Sequence, residues 1–262
     1  GLGDVYKRQT RDGLRLPMIH FESNKKDICV ICIHGMCATI IDNYFATVWG
    51  KLLAKNDIGF IYEHNRGHSI ENDIVMKDGS FKRCGCMYEI LEDCIYDIDL
   101  AIQTAKEKGY KRIILLGHSL GCNKVIYYYY KKHPNILGMI LASAPDMIES
   151  HLLIEPDYEE LLKEAKENID KNQPTKLLHK MIEDYMYMSS QTYYNWFHKN
   201  SNLNNLPIIS NPKNWEQLET IDVPILTFSG SKDEDYYLHL DLLKEKATNC
   251  KNFEYQIIEN TG

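Results

Sequence analysis

The feature that most constrains this chain is the pentapeptide Gly117-His118-Ser119-Leu120-Gly121, because of what flanks it. It follows directly on Arg112–Leu116, whose apolar, β-branched character reads as a buried strand, and it opens directly into Gly121–Lys132, which reads as a helix stopped by Pro134. G-x-S-x-G in that setting is a nucleophile elbow, a sharp strand-to-helix turn that holds the serine Oγ above a sheet. Glycines flank the serine because a side chain there would collide with the neighbouring strand and helix. The start of the following helix also favours the negative charge that develops in acyl transfer. The pentapeptide alone is a weak signal; the strand and helix on either side make it a strong one.

The rest of the chain keeps the same rhythm. Leu14–Phe21, Ile28–Ile33, Ile58–Tyr62, Leu137–Ser143, Pro224–Ser229 and Phe253–Ile258 read as strands. Asn43–Lys55, Tyr88–Lys108 and a stretch near Tyr237–Ala247 have helical spacing; Leu91, Ile95, Ile98 and Ile102 form one apolar stripe, and Gly109 closes that helix. Strands alternating with helices predict an α/β fold, a mostly parallel sheet with helices on both faces. The alternation breaks between Asp146 and Trp215, where Tyr158–Ile169 and Lys176–Tyr187 read as helices and Asn200–Pro212 as a linker loop. The expected organisation is a core over 10–146 and 216–262 with a helical insertion over 147–215. Residues 1–9 (GLGDVYKRQ) lack an initiator Met and an apolar h-region. The run Asp4–Gln9 resembles the translation of a sequencing-library adaptor, so 1–9 is set aside from the fold as non-native.

Composition excludes several classes. With 30 basic against 37 acidic residues, net charge −7, there is no cationic excess to neutralise nucleic-acid phosphates. The longest apolar runs fall far short of the roughly 20 residues of a membrane helix. Eight cysteines are even in number, but a chain this long needs no staples, and several sit in apolar runs where free Cys acts as a small hydrophobe. Cys29 and Cys32 lie three apart in a strand and so face opposite sides, which is wrong for one metal. Cys84-x-Cys86 with a nearby His is the one metal alternative left open. The reading is a reduced, cytoplasmic chain with no metal or organic cofactor and no nucleic-acid partner.

From about Thr10 to Gly262 the chain resembles an α/β-hydrolase with a lid, close to the serine-aminopeptidase-like and esterase branches. Besides the elbow it carries His34-Gly35-Met36 after the second strand, Asn65-Arg66-Gly67-His68 after the next, and Val223–Gly230 before an acidic loop, in the family's order. The resemblance implies a serine hydrolase acting on a small acyl substrate, with Ser119 as nucleophile. It implies an oxyanion hole from the N–H groups of Leu120 and Met36, with Cys37 as the neighbouring alternative to Met36. It places the acid of the triad at Asp233, three residues beyond Gly230, with Glu234 and Asp235 also available. Ester, peptide and acyl-transfer chemistry use the same machinery, and a non-catalytic binding protein on this scaffold is the other class.

The histidine of the triad should follow the last strand, yet His239 is the only one beyond Asp233 and stands only six residues from it. The expectation is therefore a chain that stops, at Glu259-Asn260-Thr261-Gly262, just before its catalytic base and before the helix that covers part of one sheet face. An apolar stretch of that face is then expected to be open. Aromatic residues crowd the insertion (Tyr185, Tyr187, Tyr193, Tyr194, Trp196, Phe197), and pocket lining and simple packing are equally open for them.

Overall fold

The structure is a computed structural model that describes residues 3–209, 214–233 and 239–262. The expected strands form as β2 (Arg15–Phe21), β3 (Ile28–Ile33), β4 (Ile58–Glu63), β7 (Arg112–His118), β8 (Gly138–Ala142), β9 (Ile225–Gly230) and β10 (Phe253–Ile258). With β1 (Asp4–Gln9) they make one eight-stranded sheet in the order β1-β2-β4-β3-β7-β8-β9-β10. Within this sheet the β1/β2 and β2/β4 pairs are antiparallel, and across it from β4 to β10 each pairing is parallel. Parallel neighbours need a long return connection. Here α1 (Tyr44–Lys55) joins β3 to β4, α2 (Cys94–Glu107) precedes β7, α3 (Leu120–Lys132) joins β7 to β8, and α8 (Leu240–Lys246) precedes β10. The C-terminal ends of the parallel strands therefore share one edge, the place where open α/β sheets bind their ligands.

The sheet has two unequal faces. Cys29, Ile31, Ile33, Ile113, Leu115, Met139 and Leu141 pack under α2, α3, α7 (Glu216–Glu219) and α8 in the larger core. Val30, Cys32, Phe60, Tyr62 and Leu116 form the other face, under α1. Cys29 and Cys32 thus fall on opposite faces, as their spacing requires. The α1 face is covered only in part. Ile114, Ile140 and Phe228 are half-buried, while Leu226 and Ile258 are 38% and 37% exposed.

Several elements differ from the sequence reading. Asp4–Gln9, set aside there, is the edge strand, paired from Asp4 against His20 to Gln9 against Arg15. The helix expected over Tyr88–Lys108 begins only at Cys94; before it come two 3-10 turns, Cys86–Tyr88 and Leu91–Asp93. Between them Glu89 and Ile90 are extended, because the Glu89 carboxylate turns inward to Lys124 and the Leu91 N–H is taken by Asn195. Tertiary partners override helical spacing there. Lys176–Tyr187 is not a helix either. It folds back through bridges Leu177↔Ser189 and Ile182↔Met186, with Glu183 and Asp184 both at φ 53 in a type I′ turn closed by the Tyr185 N–H on the Ile182 carbonyl. The loop after β4 contains an unforeseen hairpin, β5 (Asn72–Val75) with β6 (Phe81–Cys84). Between β8 and β9, α4 (Met147–Ile154), α5 (Tyr158–Asp170) and α6 (Ser190–Phe197) gather a separate apolar core around Leu161, Leu178, Met188, Tyr193 and Trp196. Among the described residues no helix is long and apolar enough to cross a membrane.

Candidate active site

At the shared strand edge, β3 hands over to His34-Gly35-Met36, β7 to Ser119 and β9 to the loop that holds Asp233. Ser119 sits at φ 52, ψ −128, between strand and helix geometry. Its N–H donates to the Ala142 carbonyl of β8 (2.9 Å), and its own carbonyl accepts from the Cys122 N–H of α3 (2.8 Å). The turn is thus pinned on both sides. A Cβ on Gly121 would collide with the Ile33 carbonyl, so only glycine lets α3 start against the end of β3. The same closeness appears at Gly35, where a Cβ would stand 2.9 Å from Ser119 Cβ and 3.3 Å from its Oγ.

His34 sets the backbone of that loop. It is fully buried, and its Nε2 accepts the Asn65 N–H (3.2 Å). The ring proton must then be on Nδ1, which donates to the Gly35 carbonyl (2.7 Å). Burial, reinforced by the Lys124 charge, holds this imidazole far below the ordinary histidine range, so it stays neutral and keeps this tautomer. Because the peptide is trans, tying the Gly35 oxygen to His34 turns the Met36 N–H to the opposite side. Leu120, buried at the first position of α3, carries one of the N–H groups that a helix start leaves without an intrahelical acceptor.

Met36 and Ser119 line one cavity of about 330 Å³, walled mainly by apolar side chains of the insertion and roofed by Ile182, Met186, Met188, Trp196 and Phe197. The aromatic cluster divides between the two roles left open for it. Tyr193 is core, Trp196 and Phe197 are core and also line the cavity, and Tyr185 lines it while half exposed to solvent.

Asp233 is half-buried, with its N–H on the Gly230 carbonyl (3.1 Å). Its loop meets the turn after β10: Lys232 N–H donates to the Thr261 carbonyl (2.8 Å), and Asn260 N–H to Ser231 Oγ (2.9 Å). Since β9 lies two strands from β7, ladder spacing alone separates the two strand ends by roughly 10 Å, the span of an intervening side chain rather than of a hydrogen bond. Glu234 and Asp235 lie outside the described residues.

No imidazole among the described residues is hydrogen-bonded to Ser119 Oγ. His118 turns against the Phe45 ring (4.7 Å), where burial pushes its pKa down to about 4. His239 stands immediately before α8. His151 shares the cavity wall with Ser119, but both of its nitrogens are taken, Nδ1 by Glu183 Oε1 (2.6 Å) and Nε2 by the buried Tyr193 hydroxyl (2.9 Å).

Beneath the site lies an ionic cluster that the sequence reading missed. Lys124 Nζ, fully buried on α3, is 2.5 Å from Glu89 Oε1 and 3.3 Å from Asn65 Oδ1. Arg66 is clamped by Asp12, Asp93 and Asp97, while Glu63 is buried nearby with both oxygens unpartnered, and burial raises its pKa well above the usual carboxylate range. Lys124 thereby holds the side chain of Asn65, the residue whose N–H orients His34. The only sequence signal was a lysine just before the apolar pair Val125-Ile126 on the helix after the elbow. Cys84 and Cys86 pack into separate cores, and among the described residues no group of three or more His, Cys, Asp or Glu is placed to hold a metal ion.

Comparison with known proteins adds context. The family described as "Protein of unknown function (DUF1749)" matches residues 89–205. No curated protein matches the chain. Among solved structures, the α/β hydrolase GrgF from Penicillium sp. sh18 is 15% identical, with TM-score 0.67, covering 99% of this chain and 90% of its own. Est1E from Butyrivibrio proteoclasticus, with ferulic acid bound, is 16% identical with TM-score 0.62, covering 95% and 87%. A soluble variant of monoglyceride lipase from Saccharomyces cerevisiae, in complex with a substrate analog, is 13% identical with TM-score 0.61, covering 99% and 87%. Identities this low speak for architecture alone. Together with the parallel sheet and its strand-to-helix elbow, they establish that the chain has the α/β-hydrolase fold.

Proposed function

We propose that the chain is a serine hydrolase that cleaves a carboxylic ester through an acyl-enzyme on Ser119. The observation that carries this reading is the strained Ser119 elbow, with the Gly35-Met36 loop against it at the mouth of an apolar cavity. Ser119 Oγ attacks the carbonyl carbon, and the N–H groups of Leu120 and Met36 receive the negative charge that forms on oxygen. An imidazole held by Asp233 takes the serine proton and returns it to the leaving alcohol. The insertion acts as a lid whose side chains enclose the acyl group. At about 330 Å³ the cavity is at the small end for ligand sites, which favours a short acyl chain. The esterase and lipase names of the structural neighbours support ester cleavage ahead of peptide cleavage or acyl transfer.

A second reading, a binding protein on the same scaffold, is favoured by one observation: no described imidazole is hydrogen-bonded to Ser119 Oγ. One experiment separates the two. Hydrolysis of a short-chain p-nitrophenyl ester is measured with and without added imidazole, alongside labelling by a fluorophosphonate. The enzyme reading expects imidazole-stimulated turnover and label on Ser119, both lost in Ser119→Ala. Equal rates for the two proteins, with no label on either, would sink it and leave the binding reading.

A further inference from the structure

The cavity that holds Ser119 is apolar over most of its wall, and among the described residues no lysine or arginine lines it. One carboxylate does, that of Glu183. Glu183 stands at φ 53 in the turn of the insertion, a left-handed state that side chains other than glycine seldom adopt. Its N–H donates to Glu155 Oε2 (3.3 Å), and its Oε1 accepts from His151 Nδ1 (2.6 Å). A carboxylate can only accept, so Nδ1 carries the ring proton, while the Tyr193 hydroxyl engages Nε2 (2.9 Å). His151 and Tyr193 are both buried, so a chain of hydrogen bonds runs from the core of the insertion to a carboxylate in the cavity wall. The Glu183 side chain is 28% exposed, and its second oxygen has no hydrogen-bond partner among the described residues. The nearby cation is already engaged: Lys180 Nζ is held by Glu155 Oε1 (2.7 Å) and Asp157 Oδ2 (2.8 Å). Asp184 adds another acidic side chain to the turn.

We propose that Glu183 selects substrates whose acyl group ends in a cation, an ammonium carried on a short chain. A fixed charge beside an apolar wall attracts an opposite charge more strongly than in open water, because less solvent screens the pair. Tyr185, Trp196 and Phe197 line the same cavity, and aromatic rings attract cations as well. A plain alkyl chain fares worse there, since it strips water from the carboxylate and returns neither a hydrogen bond nor a charge. The volume of about 330 Å³ suits a chain of a few carbons with its head group. Placing the cation on the acyl side rests on the ester reading above, in which the insertion encloses the acyl group. The cation site itself does not depend on that reading.

The test compares the p-nitrophenyl ester of γ-(trimethylammonio)butyric acid with that of its neutral isostere, in which carbon replaces the charged nitrogen. At about pH 8, above the ordinary histidine range, kcat/KM should favour the cationic ester by about 10-fold or more. Glu183→Gln should remove most of that preference. Equal values for the two esters, or a preference that survives Glu183→Gln, overturn the proposal. A binding measurement needs no turnover: the methyl proton resonance of the butyltrimethylammonium ion is followed as the parent, Ser119→Ala or Glu183→Gln is added. Broadening by the parent and Ser119→Ala but not by Glu183→Gln supports the site. Broadening by none of the three, or equally by all, overturns it. If the ion binds through Glu183 while neither ester is cleaved, the cation site stands and the ester reading is what fails.

Discussion

Ser119 carries a Cβ at φ 52, ψ −128, a backbone state that costs on the order of 1–3 kcal/mol for a residue other than glycine. Ser119→Gly relieves that strain but adds about 0.5–1 kcal/mol of chain entropy to the unfolded state. The glycine variant should therefore be more stable than the parent by about 1 kcal/mol, while Ser119→Ala keeps the strain and stays near it. Urea denaturation of the three proteins checks the order; a glycine variant below the alanine one would mean the elbow is relaxed. The serine was legible because its neighbours are glycines in a fixed pattern between two periodic segments. Lys124 was not, since its role comes from Glu89, a partner that only the folded chain brings near.

At the level of elements, α3 and the segment before α2 are joined by the buried Lys124–Glu89 pair. Lys124→Met leaves Glu89 as an unpaired buried carboxylate and should cost about 3–5 kcal/mol, whereas the double change with Glu89→Leu should recover most of that loss. A double-mutant cycle by denaturant unfolding measures it; additive effects would mean the pair is not coupled. The same ion pair explains why the sequence overextended a helix here. The stripe Leu91, Ile95, Ile98, Ile102 marks helical spacing, but it cannot reveal that Glu89 must turn inward. Core strands were read to within a residue or two because parallel, doubly covered strands are short apolar runs. Lys176–Tyr187 deceived for the converse reason: Ile182, Met186 and Met188 reach one core from a turn at Glu183-Asp184, imitating a helical face.

For the molecule as a whole, buried histidines set the response to acid. His20, His64 and His118 are held neutral by burial, with pKa values near 4 against 6.5 when exposed, and burial holds His34 well below the ordinary histidine range too. Between pH 6.5 and 4 these histidines bind more protons in the unfolded chain than in the folded one, so the stability they contribute is complete above about 6.5 and falls as the pH drops. Thermal unfolding should show Tm falling by several degrees across this window, with a shallower slope in His118→Phe. A Tm that is level down to pH 4 would contradict the buried neutral rings.

The strand order has a kinetic side. β3, at the centre of the sheet, takes β4 on one flank and β7 on the other, with Ile28 opposite Arg112. Such distant pairings require loop closure before any contact rewards it, which slows folding. The Ser119 turn sits at the end of that late-joining strand and leans, through Gly121, on the end of β3. A partly folded chain can already hold β3, α1 and β4 together, but it has no elbow until β7 docks, so the candidate active site and the middle of the sheet are acquired in one step.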